Sequence, residues 1–435
     1  MRKKGSKKQK TIETRAAALR LLRSPQFLFN VGKQIGAGGV VGEHRSRLVL
    51  YLACLTSALK KVVSVLVKGP TSTGKNNLVK GVLSLIPPEL VLTRSSFSEK
   101  ALAYGADDLA GKILYLVEHR GGRDAQFFMR LLQSEGTLQH EATNISGGKR
   151  ETDVAIRPGA PVFLSTTTDE RIFEDDETRF LSLRADESSE LTREVLRVQF
   201  RENREEDENT ERQLEKGSKR QIPLSDWHDA FRILRTNVPR FRYPGFFDYL
   251  AEHVPTGNSR ARRDVPRFLS FLQAVALCQG FSDGRREKAE KEIEITFADY
   301  CVAFAICSGA FTSTYVGAHP MALEFAKAVR HLCGKSNRPV TTKDVQAHLK
   351  WKNQVAHKWR VAAVRQKLVQ YKPGTHSNNK KPLLPGPAKH ATTFLPDPRL
   401  VLRERPDIGS VVRYVDPITG QEKVLRRQTE EDEDV

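Results

Sequence analysis

The segment at residues 69–75, which reads GPTSTGK, constrains the fold of this 435-residue chain more than any other. It matches the pattern GxxxxGK, in which glycines let the backbone fold around a phosphate so that successive N–H groups face the anion. The β-branched run at 62–67 predicts a buried strand before the loop, and a helix from Asn76 to about Leu85 is predicted after it. A strand, a glycine-rich loop and a helix in this order indicate a phosphate-binding loop, whereas a Gly/Ser/Thr surface loop is the alternative.

Each residue of this loop receives a predicted role. The backbone around the phosphate is predicted to come from Gly69, Pro70, Thr71, Ser72, Thr73 and Gly74. Lys75 is expected to reach the β- and γ-phosphates of ATP, which is the predicted cofactor together with Mg²⁺. The following position normally holds a Ser or Thr whose hydroxyl binds Mg²⁺, but here it is Asn76. An amide oxygen can also ligate Mg²⁺, so two outcomes stay open: ATP turnover, or ATP binding with weak hydrolysis.

Two further strands are predicted to end in polar residues, and the alternation of strands and helices predicts a parallel α/β sheet. The run Ile113–Val117 predicts a buried strand that ends at Glu118. An acid at the tip of a neighbouring strand can hold Mg²⁺ or polarise the attacking water, so Glu118 is the predicted base and a predicted metal ligand. A third strand at 162–164 opens into a Thr run, from which Thr166 or Thr167 is expected to bond the γ-phosphate or the water. The alternatives are a strand that ends in a surface acid and threonines that merely suit a strand.

Two arginines follow at positions that suit contact with a transferring phosphoryl group. Arg179 lies in the ETRF segment at 177–180 and is predicted to stabilise that group in the site of a neighbouring subunit. Its alternative role is a salt bridge within the acidic cluster at 174–177. Arg263 precedes the predicted helix Val265–Cys278 and is expected to contact the nucleotide from a helical lid, or else to form an exposed basic helix end.

The net charge of +19 and the pI near 9.7 predict an anionic partner, either nucleic acid or an anionic membrane surface. Residues 1–23 carry +8 and residues 321–372 carry +10, while the long middle at 24–320 carries only +1. No apolar run approaches the roughly 18 residues that span a bilayer, which excludes a membrane protein. The five cysteines form no CxxC pair, so the sequence predicts neither a zinc module nor a disulfide scaffold, and favours the cytoplasm.

A predicted β-hairpin is the first candidate DNA contact. Alternating runs at 137–143 and 151–157 flank a pair of glycines, and the tip carries Lys149 and Arg150. A positive tip is sufficient to hold a DNA phosphate, although an ordinary turn with solvated charges has the same pattern.

Residues 321–371 form the second candidate DNA contact, and their helix–turn–helix–turn–helix pattern resembles a winged helix. In that fold the third helix, predicted here at 354–369, meets the major groove. The predicted DNA contacts are Lys352, Lys358, Arg360, Arg365 and Lys367. Because the segment carries +10, DNA binding is favoured over a purely structural cap.

Changes in composition along the chain predict its domain organisation. The predicted parts are a basic disordered arm at 1–10, an N-terminal helical segment at 11–60, an ATPase core at 61–185, a charged linker at 186–224, a helical lid at 225–318, a winged-helix domain at 319–372, and a Pro-rich region with an acidic tail at 373–435.

The order of these features resembles the AAA+ ATPases, specifically the MCM-like replicative helicases of mobile elements and the primase-associated ATPases related to them. The similarity covers about residues 15–370 and is strongest in the phrases KGPTSTGK, KILYLVEH, LLQSEG, FLSTTT and DETRFLSL. The resemblance implies a P-loop AAA+ core with a parallel sheet, a helical lid and a C-terminal winged-helix domain. It also implies a homo-hexameric DNA helicase or translocase in the bacterial cytoplasm, with ATP between subunits, acting in replication of a mobile element or phage beside a primase.

The resemblance also assigns roles to individual residues. Lys75 matches the phosphate-loop lysine, Glu118 the catalytic glutamate, Thr167 sensor 1, Arg179 the arginine finger and Arg263 the sensor 2 arginine. Asn76 and Val117 depart from the family pattern, and both departures concern the handling of Mg²⁺.

Overall fold

The computed structural model describes residues 15–146, 149–170, 172–212, 222–288, 291–372, 382–386 and 393–427. The helices are α1 (residues 15–22), α2 (Phe27–Ala37), α3 (His44–Leu55), α4 (Lys75–Leu83), α5 (Glu99–Tyr104), α6 (Gln126–Glu135), α7 (Glu174–Glu177), α8 (Ser189–Arg212), α9 (Leu224–Arg235), α10 (Phe246–His253), α11 (Ala261–Ser282), α12 (Arg285–Lys288), α13 (Phe297–Val316), α14 (Pro320–Ser336), α15 (Thr342–Leu349), α16 (Asn353–Arg365) and α17 (Pro398–Glu404). The strands are β1 (Val65–Lys68), β2 (Val91–Arg94), β3 (Ile113–Leu116), β4 (Thr137–Ser146), β5 (Lys149–Pro158), β6 (Val162–Thr167), β7 (Leu181–Arg184), β8 (Arg240–Arg242), β9 (Glu292–Glu294), β10 (Val369–Tyr371), β11 (Leu383–Pro385), β12 (Val411–Val415) and β13 (Glu422–Arg426).

A five-stranded parallel sheet in the order β2-β3-β6-β1-β7 forms the centre of the N-terminal half. Strands β1, β3 and β6 are buried along their whole length, as expected for a parallel sheet covered on both faces. β6 lies between β1 and β3, and Lys68 at the end of β1 is level with Thr167 at the end of β6. The carboxyl ends of these three strands therefore lie side by side at one edge of the sheet.

The two faces of the sheet belong to different hydrophobic clusters because successive side chains in a strand point in opposite directions. Val65 and Val67 contribute to the larger cluster, which also contains residues of α2, α3, α4, α9, α11 and α13. Leu66 and Phe163 contribute to a smaller cluster with residues of α5, α6 and the β4–β5 hairpin. The sheet is thus the middle layer of three, which confirms the predicted α/β class with a parallel sheet.

The helical region after β7 shares its core with the sheet domain. The ring of Tyr51 in α3 packs edge-on against the ring of Phe231 in α9, with centroids 5.7 Å apart. Strands β8 and β9 form a short parallel pair inside this region, which the sequence predicts to be entirely helical. That prediction was wrong at these six residues, because strands of three residues are too short to show a period of two.

Residues 393–427 add a helix and a hairpin to the same core. The ring of Phe394 stacks on Phe311 of α13 with centroids 5.7 Å apart, and the hydroxyl of Tyr300 donates to the carbonyl of Pro396 at 2.7 Å. Strands β12 and β13 pair antiparallel, and their turn contains Pro417–Gly420. Part of the Pro-rich region is therefore an integral component of the fold.

Helices α14, α15 and α16 form a small unit with its own hydrophobic cluster. Strands β10 and β11 pair antiparallel behind α16, and Val340 forms an additional bridge with Leu383. α15 begins with a capping box in which Thr341 and Asp344 satisfy each other's backbone N–H groups. This unit meets the sheet domain where Lys358 pairs with Glu187 at 3.5 Å, just after β7.

The longest apolar helix, α13, is buried between the sheet and the C-terminal segment. No single helix among the described residues is long and apolar enough to cross a membrane. Only α13 and α14 taken together reach the required length and composition, and the pair is bent by 94°.

Candidate functional site

The loop between β1 and α4 has the geometry of an anion cradle. Gly74 has φ +76°, a left-handed conformation that favours glycine, and α4 starts at the next residue. The hydroxyl of Thr73 donates to the carbonyl of Pro70 at 2.9 Å and closes the turn. The amino end of α4 therefore faces the space above the loop, where its unpaired N–H groups and the helix dipole suit a phosphate.

Lys75 lies inside this loop. The residue is only 8% exposed, and its ammonium donates to the carbonyl oxygens of Gly69 at 2.8 Å and Pro70 at 2.6 Å. Burial lowers the pKa of Lys75, while the nearby carboxylate of Glu118 acts to raise it. The charge of Lys75 is thus fixed at the loop and lies within electrostatic reach of the acid that follows β3.

Glu118 is half-buried at the end of β3. Burial raises the pKa of Glu118, although the charges of Lys75 and Arg120 and a hydrogen bond from Thr167 oppose that shift. Its Oε1 is buried and has no hydrogen-bond partner within the part of the chain that the structure describes. A carboxylate with a raised pKa and an oxygen not used by the fold is suited to accept a proton from a water molecule.

The two threonines at the end of β6 contact different groups. Thr167 is fully buried, accepts from the N–H of Asp169 at 3.1 Å, and acts to lower the pKa of Glu118. Thr166 bonds the amide oxygen of Asn76 at 2.9 Å and the carbonyl of Val117 at 2.5 Å. Thr167 is therefore the threonine that orients the candidate base, while Thr166 joins β6 to the start of α4.

Asn76 occupies the position where a phosphate loop normally has Ser or Thr. Its Oδ1 accepts from the hydroxyl of Tyr115 at 3.1 Å and from Thr166 at 2.9 Å. The single hydroxyl proton of Thr166 is shared between Asn76 and the closer carbonyl of Val117, so Tyr115 is the donor that engages one lone pair of Asn76 outright. Asn76 thus ties α4 to the ends of β3 and β6, and its oxygen is already engaged by Tyr115. The loop fits a phosphate. Ligation of Mg²⁺ by Asn76 and Glu118 stays a prediction.

Arg179, between α7 and β7, lies beside Arg263 in α11. Arg179 donates to the hydroxyl of Ser134 at 3.3 Å and to the carbonyl of Asp175 at 2.6 Å. Arg263 donates to the hydroxyl of Thr178 at 2.6 Å, and its charge contributes to lowering the pKa of Arg179, after the larger effect of burial.

The register of β7 locates both arginines relative to the phosphate loop. Leu181, which directly follows their segment, pairs with Val65 at the amino end of β1, whereas the loop follows the carboxyl end. Arg263 therefore lies beside Arg179 instead of beside the chain's own Lys75. The expected contact of Arg263 with a nucleotide stays a prediction.

Sequence reasoning missed the network that fixes the ETRF segment. Asp264 is fully buried and accepts from Arg260 at 2.9 Å and from Arg267 at 2.8 Å. Both arginines also donate to backbone carbonyls of the segment, at Glu177, Thr178 and Phe180. Burial lowers the pKa of Arg267 to about 10. The signal was present as arginines placed four residues before and three after an acid on one helix.

A buried ion pair joins the phosphate-loop strand to the same segment. Lys68, at the end of β1, is only 1% exposed and pairs with the carboxylate of Glu177 in α7. Its ammonium also donates to the carbonyl of Glu170 at 3.3 Å. A buried ammonium is costly unless it is paired, so this contact fixes α7 against the sheet next to the phosphate loop.

Replacement of Glu177 by glutamine is expected to lower the free energy of unfolding by about 3 kcal/mol, because Lys68 would then be a buried charge without its carboxylate. Urea denaturation followed by circular dichroism measures the change. Glu174→Gln, an exposed acid of the same helix, is the matched control and should change stability by less than about 0.5 kcal/mol. Equal losses in the two variants would contradict the importance of the ion pair.

The predicted DNA contacts in the C-terminal unit differ in exposure. Lys352, Arg365 and Lys367 are exposed, and Lys358 is exposed but pairs with Glu187. Arg360 is only 7% exposed and donates to the hydroxyl of Thr342 at 3.3 Å. Arg360 is therefore held against α15, and its predicted contact with DNA stays a prediction.

The predicted hairpin is formed by β4 and β5, which are ten residues long each and extend to Ser146 and Lys149. The backbone of Lys149 therefore lies at the tip of the hairpin, and the backbone of Arg150 lies next to it. The side chains of Lys149 and Arg150 lie outside the described part of the chain, as does the predicted basic arm at 1–10.

Comparison with known families identifies the sheet domain. Residues 39–222 match a family model described as the MTBMA_p00010 P-loop domain. The match begins just before α3 and includes the phosphate loop, Glu118, both threonines and Arg179, and together with the parallel sheet it fits a P-loop domain, which suggests nucleotide binding. The comparison with curated proteins found no match.

Proposed function

We propose that this chain is an ATP-hydrolysing DNA helicase or translocase that works as a ring. One observation carries the proposal: Lys75, Glu118 and Thr167 meet at the carboxyl ends of the strands, while Arg179 and Arg263 lie together just before β7, whose first residue is level with the amino end of β1. In the proposed ring, these arginines would act on a phosphoryl group bound to a neighbouring copy. A head-to-tail interface of this kind closes into a ring when the rotation between copies permits it, and the family resemblance suggests six copies.

The residues of the site have separate roles in the proposed reaction. The backbone of the loop at 69–74 and Lys75 hold the phosphates of ATP, and Glu118 takes a proton from the attacking water. Thr167 orients Glu118 through its hydrogen bond, and Arg179 of the next copy stabilises the charge of the transferring group. ATP supplies the phosphoryl group, and Mg²⁺ would neutralise its charge.

The C-terminal unit supports DNA as the partner. Residues 321–372 carry +10, and the three helices followed by a two-stranded antiparallel hairpin have the organisation expected of a winged helix. Lys352, Arg365 and Lys367 are exposed on or next to α16, and the hairpin tip at Lys149 and Arg150 is proposed to hold DNA phosphates. The resemblance suggests replication of a mobile element or phage, beside a primase, as the context.

A second candidate function is an ATP-binding initiator or loader that hydrolyses ATP weakly. The observation that favours it is the engagement of Asn76 by Tyr115 and Thr166, together with Val117 where the family pattern has an acid. In this alternative the ATP-bound state itself, rather than repeated turnover, would load the chain on DNA.

ATP turnover with and without single-stranded DNA separates the two functions. A translocase is expected to turn over ATP about tenfold faster with DNA, because the DNA contacts and the site then move together. Turnover is also measured with RNA and with duplex DNA at equal salt, because phosphate contacts alone do not distinguish one nucleic acid from another. DNA binding without any stimulation would exclude the translocase and leave the initiator.

A further inference from the structure

A polar cleft of about 390 Å³ opens between α15 and α16. Every side chain that lines it is polar or charged, and none is acidic. The lining residues are Thr342, Lys343, Gln346, Asn353, Gln354, His357, Lys358 and Arg360. A cleft with three permanently charged cations and no carboxylate in its lining is suited to an anion.

Arg360 is the unusual member of this lining. Only 7% of Arg360 is exposed, yet among the described residues its guanidinium donates only to the hydroxyl of Thr342, at 3.3 Å. Its Nε is buried without a hydrogen-bond partner within the described residues. A guanidinium that is removed from water is costly unless an anion pairs with it, so the side chain is positioned for a partner that the chain itself does not provide.

The amino end of α15 adds to this preference for an anion. Thr342 and Lys343 are its first two residues, and the capping box of Thr341 and Asp344 fixes the helix start beside the cleft. The positive end of the helix dipole therefore lies at the cleft and adds to the positive charges of Lys343 and Arg360. Gln346 and Gln354 supply neutral donors on the two walls.

We propose that this cleft binds one phosphodiester group of the DNA backbone, held by Arg360 and Lys343 between α15 and α16. The inference deepens the proposed function, since it rests on DNA as the partner of the C-terminal unit. A phosphate bound here fixes the angle at which α16 meets DNA and leaves Val361 and Arg365, which are exposed further along the helix, for the groove. Arg360 therefore contributes to DNA binding through the cleft and not through the open face of the helix.

Gln354→Glu in the full chain tests the cleft. Gln354 is exposed, so the substitution places a negative charge on the cleft wall without changing the packed core. Affinity for a duplex of about 20 base pairs, two helical turns, is measured by fluorescence anisotropy at several salt concentrations. The variant is expected to bind about tenfold more weakly and to lose about one unit of the slope of log K against log salt.

Gln370→Glu is the matched control, because it makes the same charge change at an exposed position of β10 outside the cleft. Equal weakening by both variants, or an unchanged salt slope in Gln354→Glu, overturns the cleft proposal. Absence of DNA binding by the unmodified chain overturns the proposed function instead. Titration of inorganic phosphate is the third arm: loss of phosphate binding in Gln354→Glu with unchanged DNA binding would show that a free anion, not DNA, occupies the cleft.

Discussion

Replacement of Lys75 by alanine is expected to lower ATP turnover by about 10²–10³-fold, the cost of removing one preorganised charged donor from a developing negative charge. The ammonium lies within the loop, bonded to the carbonyls of Gly69 and Pro70, so it can turn to a phosphate without a change of backbone. Its loss also removes the positive charge that opposes the raised pKa of Glu118. We therefore expect the apparent affinity for ATP to fall together with turnover.

Steady-state phosphate release in the presence of single-stranded DNA measures the effect. Lys80→Ala is the matched control, because Lys80 is an exposed lysine near the end of the same helix and its removal should leave turnover within about twofold. Thermal unfolding of both variants by circular dichroism establishes that they are folded. Turnover that survives in folded Lys75→Ala would show that the loop at 69–75 is not the catalytic phosphate loop.

The phosphate-loop fold could be predicted because its signals are local. A β-branched run, a loop with GxxxxGK spacing and an apolar helix face lie within about one βα unit, and the prediction of a P-loop α/β domain is confirmed by the sheet and the family match. Glu118 and Thr167 could be proposed for a similar reason. Each follows a buried strand, and the carboxyl ends of parallel strands form a common edge.

The position of charged side chains could not be predicted in the same way. Lys and Arg are almost never fully buried unless paired, so the sequence gives no signal that Lys68 and Arg360 are buried. Lys68 is buried because Glu177, 109 positions later, packs against it. Arg360 is buried because α15 lies across it. Both partners are set by tertiary packing, which leaves no periodic trace in the sequence.

The order of the strands was also beyond local reasoning, and it decides where the arginines lie. β6 enters between β1 and β3, and β7 then runs beside the outer edge of β1. This crossover returns the chain to the amino end of the sheet, which brings Arg179 and Arg263 together away from Lys75. From the sequence alone Arg179 was expected in the site of a neighbouring subunit and Arg263 at a nucleotide from the lid, with no indication that the two lie side by side.

Mixing Arg179→Ala protein with Glu118→Gln protein is expected to restore ATP turnover that neither variant shows alone. An arginine finger contributes about 10³–10⁵-fold to the rate, and loss of the base should also reduce turnover severely. In a mixed ring, an Arg179→Ala copy provides an intact loop and Glu118, and a Glu118→Gln copy provides the arginine. In an equal random mixture about a quarter of the interfaces are then complete, so roughly that fraction of the unmodified rate should return.

A mixture of Lys75→Ala with Glu118→Gln is the control for this experiment. Both of these residues belong to the same end of the sheet, so every interface in that mixture contains a defective loop or lacks its base, and no turnover should return. Phosphate release is followed after pre-incubation long enough for copies to exchange, and exchange is verified by energy transfer between labelled copies. If Arg179→Ala and Glu118→Gln exchange but stay inactive, Arg179 acts within its own subunit or only holds Ser134 and Asp175 in place. If turnover returns in the mixture of Arg179→Ala with Glu118→Gln and not in the control mixture, then Arg179 and Glu118 of one copy act on two different nucleotides.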